Sequence, residues 1–275
     1  MEINHHITFK LCDEAALVSY LKQNNISYDA DEFISSLDIY ESNVHWTFIK
    51  KYIEERDLFC LSESVFSAEE LNQSERLTVR SVWANGYPQP EGEFEYKDIT
   101  YDGTSCRKCG VGLVQVDSFR IRTQPKWGKR HFMALNWVDD EFFVDEIAKN
   151  LIEQKFPYIS FIDVKNKKGT ESFDGVYQMI IPVLNREGVV KNQESIREIL
   201  VCEECGAVKF HPNSIGMLKM KRSAFDNAPD IAKTAEFFGW GCGADRNIVV
   251  SQKFRKFLID NHLDRGLEFE PIELV

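Results

Sequence analysis

Apolar side chains recur every three or four residues in two segments near the N-terminus, the spacing that places them on one face of an α-helix. The two stripes consist of Leu17, Tyr20 and Leu21, and of Trp46, Ile49 and Ile53. We therefore predict one helix from residue 14 to about residue 24, with Asp13 as its N-cap, and another from about residue 44 to residue 55. On this pattern residues 1–95 form a mainly helical N-terminal part, which ends in the proline- and glycine-containing stretch 85–92.

Short segments rich in β-branched and aromatic residues predict strands through the rest of the chain. They cover residues 77–83, 111–121, 130–138, 158–164, 177–184, 248–250 and 267–274. We expect the last of them, Leu267–Leu274, to lie at the edge of a sheet. The chain contains no internal repeat that would indicate a solenoid or a propeller.

Residues that cap helices precede three further segments. Ser67 and Glu70 have the spacing of a capping box for a short helix. Asp139 or Asp140 is predicted to cap a longer helix. The acidic run Asp139–Glu141 would then lie at the N-terminus of this helix, where carboxylates interact favourably with the helix dipole. Ser251 is predicted to cap the last helix. Together the helices and strands predict an α+β fold in which a mixed sheet is combined with helices.

Four of the seven cysteines form two Cys-x-x-Cys-Gly motifs. These motifs are Cys106, Cys109 and Gly110, and Cys202, Cys205 and Gly206. Two intervening residues allow a tight turn to direct both sulfurs at one point, and the following glycine can adopt a positive φ. Two such turns supply four thiolates, the closed ligand set of a structural zinc ion. Because 92 residues separate the motifs, one zinc ion would join distant parts of a zinc-ribbon-like α/β domain over residues 96–275.

One motif alone would also be typical of a redox-active pair or of free thiols. Iron competes with zinc for a set of four thiolates. Two motifs of the same form favour zinc, since both are needed to complete one tetrahedral site. The other three cysteines, Cys12, Cys60 and Cys242, have no partner at ligand spacing, and we predict that they are packed or exposed thiols.

The charge balance bears on the partner. Acidic residues outnumber basic residues by 44 to 33, which gives a formal net charge of −11. This charge disfavours nucleic acid and anionic membranes and favours a basic partner. No apolar run approaches the ~18 residues that span a bilayer, so we predict no membrane segment. The start of the sequence has no secretory pattern and the cysteines have metal-ligand spacing, so we expect a cytoplasmic protein.

Two other functional classes have some support in the sequence. A basic stretch could bind nucleic acid, as zinc ribbons do; it contains Arg107, Lys108, Arg120, Arg122, Lys126, Lys129 and Arg130. Asp163 and Lys165, with an acid at Asp139 or Asp140 upstream, have the residue types of an Mg²⁺-dependent nuclease. We predict no enzyme, because no nucleophile is recognisably paired with a base. The glycine-rich segment 239–243 lacks a phosphate-loop lysine and is predicted to form an irregular turn.

The two cysteine motifs and the sequence after them resemble the bacterial double-CXXCG motif family. The resemblance covers roughly residues 100–275 and depends mainly on the six motif residues named above. A weaker similarity extends to the tail, at Ile248–Ser251, Phe254, Phe257, Leu258 and Gly266–Phe269. Members of that family are associated with immunity to polymorphic toxins. The resemblance implies a non-enzymatic protein that neutralises a cognate toxin by direct binding. Any exposed members of the set Trp46, Trp83, Trp127, Trp137 and Trp240 would be natural anchors for such a partner.

Overall fold

The structure is a computed structural model that describes residues 1–275, apart from the side chain of Glu93. Strands account for 34% of the residues and helices for 20%, and the sheets are mixed, which confirms the α+β prediction. The chain divides into two compact units. The first comprises Met1–Glu70 with Asn213–Met217, and the second comprises Leu71–Pro212 with Leu218–Val275.

A three-stranded antiparallel sheet and two helices form the first unit. Its elements are β1 (Glu2–Phe9), α1 (Ala15–Gln23), β2 (Ser35–Tyr40), α2 (Trp46–Arg56) and β3 (Cys60–Val65), and the short helix α3 (Ala68–Gln73) follows. Strand β1 lies between β2 and β3 and is antiparallel to both. The core contains Ile7, Phe9, Leu17, Leu21, Leu37, Ile39, Ile49 and Ile53. Sheet and helices therefore share one small core, in which the predicted apolar stripes are buried.

Helices α1 and α2 lie where they were predicted, but the prediction of a mainly helical N-terminal part is wrong. Strand β1 was not predicted because one of its three buried positions is occupied by a polar residue, His5. The ring of His5 stacks on Trp46 at 3.8 Å, and its Nδ1 lies 2.7 Å from Ser62 Oγ. Asp13 is not the N-cap of α1 either, since the N-cap is Glu14.

The second unit is built around two five-stranded sheets. The first has the order β12 (Leu218–Met220), β16 (Leu267–Leu274), β4 (Arg76–Ser81), β15 (Ile248–Ser251) and β13 (Ile231–Lys233). The second has the order β5 (Arg120–Ile121), β8 (Ser160–Asn166), β9 (Ser172–Ile180), β7 (Val138–Val144) and β6 (Phe132–Leu135). A smaller sheet has the order β10 (Ile196–Val201), β11 (Val208–Pro212) and β14 (Phe237–Phe238). The helices are α4 (Tyr96–Thr100), α5 (Glu146–Lys155) and α6 (Gln252–Asp260), with short 3-10 helices at Gly92–Phe94 and Arg222–Phe225.

Buried side chains from both five-stranded sheets and from α5 and α6 form one core. They include Leu77, Val79, Phe142, Val144, Ile152, Met179, Val250, Phe254 and Leu258. Each such side chain contributes about 1.5–3 kcal/mol when it is fully buried. Since β4 lies at the centre of its sheet, the N-terminal unit ends near residue 70 rather than at residue 95 as predicted. Among the described residues, no helix has the length and apolar character needed to cross a membrane.

Two of the four capping predictions are confirmed, those for Ser67 with Glu70 and for Ser251. The Glu70 carboxylate accepts from the Ser67 N–H at 2.8 Å, and the Ser67 hydroxyl accepts from the Glu70 N–H at 3.2 Å. Ser251 is the N-cap of α6, where its hydroxyl accepts from the Phe254 N–H at 3.1 Å. These local hydrogen bonds involve residues three apart, so the sequence alone was enough to predict them.

The acidic run Asp139–Glu141 lies on β7, so its prediction as a helix N-terminus is wrong. The residues after it, Phe143 and Val144, are fully buried in the sheet. Helix α5 starts later, and its N-cap is Asp145, whose carboxylate accepts from the Ala148 N–H at 2.9 Å. Asp139, Asp140 and Asp145 could each serve as the N-cap of this helix. Because Phe142 and Phe143 are buried in the sheet, the helix begins after them and Asp145 is the cap.

Two strand predictions in the second unit are also wrong. Residues 111–121 are irregular apart from β5, and their apolar side chains Val114 and Val116 are 55% and 63% exposed. A β-branched run without a buried face does not form a strand here. Leu267–Leu274 is not an edge strand, because β16 pairs with β4 on one side and with β12 on the other.

Candidate metal centre

The two cysteine motifs lie against each other in the second unit. The first is in the loop between α4 and β5, and the second is in the turn between β10 and β11. The sulfurs of Cys106 and Cys202 are 3.8 Å apart, and those of Cys109 and Cys205 are 3.6 Å apart. All four sulfurs lie within 4.8 Å of one another. The structure thus brings together the four predicted ligands.

The sulfur separations suit a tetrahedral metal site and do not suit disulfides. Disulfide-bonded sulfurs are about 2.05 Å apart. A tetrahedral ion with metal–sulfur bonds of about 2.3 Å separates its sulfurs by about 3.8 Å. Among the side chains that the structure describes, these cysteines are the one group of three or more His, Cys, Asp or Glu residues that could hold a metal ion.

Both motifs adopt the same backbone turn. In the first, the Gly110 N–H donates to the Cys106 carbonyl at 2.7 Å, and the Cys106 N–H donates to the Val111 carbonyl at 3.0 Å. The equivalent hydrogen bonds of the second motif measure 2.8 and 2.9 Å. Gly110 and Gly206 have φ angles of +76° and +74°, in the region that a Cβ disfavours. The predicted role of the two glycines is confirmed.

Burial and backbone hydrogen bonds act in opposite directions on the thiols. Burial raises the pKa of Cys109 to about 12. The backbone N–H groups of Cys205 and Glu204 lower the pKa of Cys202 to about 7. A thiol binds a metal ion only after it loses its proton, so metal binding to this set releases protons and weakens as the pH falls.

A buried lysine ties the first motif to the glycine-rich loop 239–243. Lys209 is 3% exposed, and its Nζ donates to the carbonyl oxygens of Cys109, Gly241 and Gly243 at 2.9, 2.7 and 2.7 Å. Three carbonyls satisfy the three N–H groups of an ammonium. The loop is an irregular turn, as predicted. Its connection to the cysteine motif through Lys209 could not be predicted from the sequence.

Gly110 has no room for a side chain. A Cβ at this position would lie 2.2 Å from the Cys242 carbonyl oxygen, whereas a Cβ at Gly206 meets nothing within 4 Å. Because the two φ angles match, both substitutions by alanine have the same conformational penalty of about 1–2 kcal/mol. At Gly206 there is no further penalty, because the added Cβ meets nothing. We expect Gly110→Ala to lower the free energy of unfolding by about 2 kcal/mol more, as measured by urea denaturation. Equal losses would contradict the close packing of the loop on the first motif.

A cavity of about 440 Å³ lies beside the same loop. Its lining includes the aromatic residues Phe94, Tyr96, Tyr101, Trp137, Phe237 and Trp240. It also includes the carboxylates of Asp139, Asp140, Glu141 and Asp245 and the cations of Lys97, Lys233 and Arg246. The acidic run that was predicted to cap a helix therefore faces this cavity. The two tryptophans in its lining are the exposed ones among the five, at 40% for Trp137 and 62% for Trp240.

Two of the three cations are held by groups within the unit. Lys233 is 7% exposed, and its Nζ lies 2.5 Å from Glu141 Oε1 and 3.4 Å from Asp140 Oδ2. Arg246 donates to the carbonyl oxygen of Thr234 at 2.8 Å. A buried cation requires such partners, because an unpaired charge away from water is strongly destabilising.

Asp245 makes the fold sensitive to pH. Burial and the neighbouring charges of Asp140 and Asp139 raise its pKa from 3.8 to about 7, although Lys97 opposes them. The folded chain therefore binds the proton more tightly than the unfolded chain, and the free energy of unfolding falls as the pH rises from about 4 to about 7. We expect Asp245→Asn to be more stable than the parent at pH 8 by about 4 kcal/mol, and similar to it near pH 4.

Urea denaturation at the two pH values tests this expectation. Asp174→Asn is the matched control, because Asp174 is an exposed carboxylate on β9 outside the cavity. The control substitution should change stability little at either pH. Equal stability of Asp245→Asn and the parent at pH 8 would contradict the raised pKa.

The residues of the predicted nuclease alternative are engaged in other contacts. Lys165 Nζ lies 2.7 Å from Asp117 Oδ1, and Asp163 accepts from the Ser172 hydroxyl at 3.2 Å. The upstream acids Asp139 and Asp140 line the cavity instead. Among the described side chains, carboxylates do not form a group that could hold a metal ion. This arrangement offers no support for metal-assisted cleavage.

Part of the basic stretch is also paired within the unit. The Arg120 guanidinium lies 3.1 Å from Asp117 Oδ2, and Lys108 Nζ lies 3.0 Å from Glu203 Oε2. Arg130 lies over an aromatic ring, that of Trp83, at 5.3 Å. Charges that are already paired contribute less to phosphate binding, because association with phosphate must first break these contacts.

Comparison with known proteins gives no relative for this chain. It matches no family model. Neither a curated protein nor a solved structure matches the chain.

Proposed function

We propose that this chain is a non-enzymatic binding protein, an immunity protein that neutralises a cognate bacterial toxin by direct contact. The observation that carries the proposal is the convergence of both Cys-x-x-Cys-Gly motifs on one set of four sulfurs. This pairing of motifs is the feature on which the resemblance to the immunity-associated family depends. The positions of the sulfurs support a metal site, and the toxin partner is what we propose in addition.

In this account one zinc ion has an architectural role. Four thiolates complete a tetrahedron, so they leave no position for a water or a substrate. The ion would connect the loop before β5 with the turn between β10 and β11. Through Lys209 it would also fix the loop that borders the cavity. A rigid scaffold supports tight binding, because less conformational freedom is lost when the partner docks.

The charge distribution supports a basic protein as the partner. The net charge of −11 attracts a basic toxin over long range and speeds its capture. Exposed tryptophans next to acidic side chains, as at Trp137 and Trp240, have the composition of an interface anchor.

The direct test is co-purification with the product of the adjacent gene, together with protection of cells that express that product. We expect both with the parent chain. We expect both to be lost in a Cys106→Ser, Cys202→Ser double variant and retained in Cys12→Ser, which alters an exposed thiol outside the sulfur set. Failure of the parent chain in both assays would remove the proposal.

A zinc-ribbon nucleic-acid-binding protein is the alternative. It requires measurable affinity for DNA or RNA that falls steeply with salt, since each phosphate contact releases counterions. The internal pairing of Arg120 and Lys108 and the net negative charge weigh against it. An Mg²⁺-dependent nuclease has less support still. It would require cleavage that is lost in Asp163→Ala.

A further inference from the structure

We propose that the cavity beside the loop 239–243 is a binding site for an organic cation, a guanidinium or an ammonium group. The cavity has a volume of about 440 Å³, within the range of about 300–1,000 Å³ that is typical of ligand pockets. A group of the size of an arginine side chain would fill part of it. The proposal depends on the aromatic walls of the cavity and on its charge.

The aromatic walls favour a cation. The Trp137 ring contacts two other rings in a tilted arrangement, with ring centroids 4.4 Å from Tyr87 and 4.6 Å from Phe94. Trp240 lies in the wall formed by the loop and is 62% exposed. Positive groups are attracted to the faces of such rings, and several rings around one space form a cage for guanidinium or ammonium ligands. The chain itself uses this contact nearby, where Lys97 Nζ lies 5.1 Å from the Phe94 ring.

The charges around the cavity also select a positive ligand. Four carboxylates face three cations, and Lys233 is already bound to Glu141 and Asp140. Among the described side chains, Asp139 and Asp245 form no ion pair within 4.0 Å. Burial is the largest cause of the raised pKa of Asp245, and the neighbouring charges of Asp140 and Asp139 raise it further. Four carboxylates against three cations leave an excess of negative charge when all of them are ionised. An added cation would balance this excess.

Other classes of ligand fit less well. An anion would meet the excess negative charge. An uncharged apolar molecule would remove water from the carboxylates without replacing their hydrogen bonds. A divalent metal ion needs several ligand atoms close together, and among the described residues the carboxylates of the cavity do not form such a group. An organic cation remains, since it can contact rings and carboxylates at the same time.

The cation can come from either of two sources. It can be a free small molecule, or it can be the end of an arginine or lysine side chain of a bound protein. The second source depends on the proposed function, and it would make the cavity the pocket that receives a basic side chain of the toxin. The first source would stand even if no toxin were bound.

The test is a titration of the full chain with N-acetyl-arginine amide at pH 8.5, where Asp245 is ionised, followed by tryptophan fluorescence and calorimetry. The matched neutral compound is N-acetyl-citrulline amide, which has the same shape and no charge. We expect the arginine compound to bind at least tenfold more tightly. We expect Asp245→Asn and Trp240→Ala each to weaken its binding at least fivefold, and Asp174→Asn to leave it unchanged. Circular dichroism shows whether each variant is folded.

A pentapeptide with a central arginine distinguishes the two sources. Binding of the peptide at least tenfold more tightly than the free compound would indicate a side chain of a protein partner, and equal binding would indicate a free cation. Equal affinity for the arginine and citrulline compounds, or full affinity in folded Asp245→Asn, would overturn the proposal. Cation binding without protection of cells from a toxin would remove only the proposed function.

Discussion

Replacement of Cys202 by serine is expected to lower the melting temperature of the chain by about 10 °C when zinc is present. The substitution removes one of four thiolates whose sulfurs lie within 4.8 Å of one another. A ligand that binds only the folded chain stabilises it by about 4 kcal/mol at 1,000 times its dissociation constant, and this contribution would be lost. The measurement is thermal unfolding followed by circular dichroism.

Two controls separate metal binding from the loss of a sulfur. Cys12→Ser changes an exposed thiol outside the set and should leave the melting temperature within about 1 °C of the parent. A strong chelator should lower the melting temperature of the parent but not that of Cys202→Ser. If the two cysteine substitutions had equal effects, or if the chelator had none, the metal would not stabilise this fold.

Lys209→Met is the second substitution with a large expected effect. It removes a 3% exposed ammonium that donates to three carbonyl oxygens, those of Cys109, Gly241 and Gly243. Buried acceptors left without donors are destabilising, and we expect a loss of about 3 kcal/mol in the free energy of unfolding. We also expect faster release of zinc to a coloured chelator, because the first motif loses its support.

Lys219→Met is the matched control for this substitution. Its Nζ lies 2.9 Å from Glu273 Oε2, and both side chains are more than 40% exposed, so the ion pair contributes less than about 1 kcal/mol. Urea denaturation and zinc release should therefore differ little from the parent. Similar effects of the two lysine substitutions would mean that Lys209 does not anchor the loop.

The two structural units could be predicted from the sequence to different degrees. The cysteine set was predictable because its residue type, its spacing and its following glycines are all local properties of the sequence. The approach of the two motifs to each other is a property of the whole fold. The helix that Ser251 caps was predictable for the same reason. Strand β1 was not, because His5 occupies a buried position through its contacts with Trp46 and Ser62, which are distant in sequence.

The cavity could not have been predicted. Its acidic wall, Asp139–Glu141, comes from β7, while Lys233 and Asp245 come from segments about a hundred residues later. In the sequence the acidic run has the same appearance as a helix N-terminus. Burial of Phe143 and Val144 keeps this segment in the sheet, where the acidic run is part of β7 and lines the cavity.

Lys209 connects the cysteine cluster to the cavity. Its Nζ donates to the carbonyl of Cys109 and to the carbonyls of Gly241 and Gly243. The two glycines belong to the loop that contributes Trp240 to the cavity wall. Loss of the metal is therefore expected to weaken cation binding as well as stability, in proportion to how far this loop is released.

The central claim is that four cysteines from two distant motifs bind one zinc ion. The most direct measurement is elemental analysis of protein purified without chelators, combined with X-ray absorption at the zinc edge. We predict one zinc per chain with four sulfur neighbours at about 2.3 Å, and less than one fifth of that content in Cys106→Ser, Cys202→Ser. Protein without bound metal, or with zinc bound through nitrogen or oxygen atoms, would contradict the account.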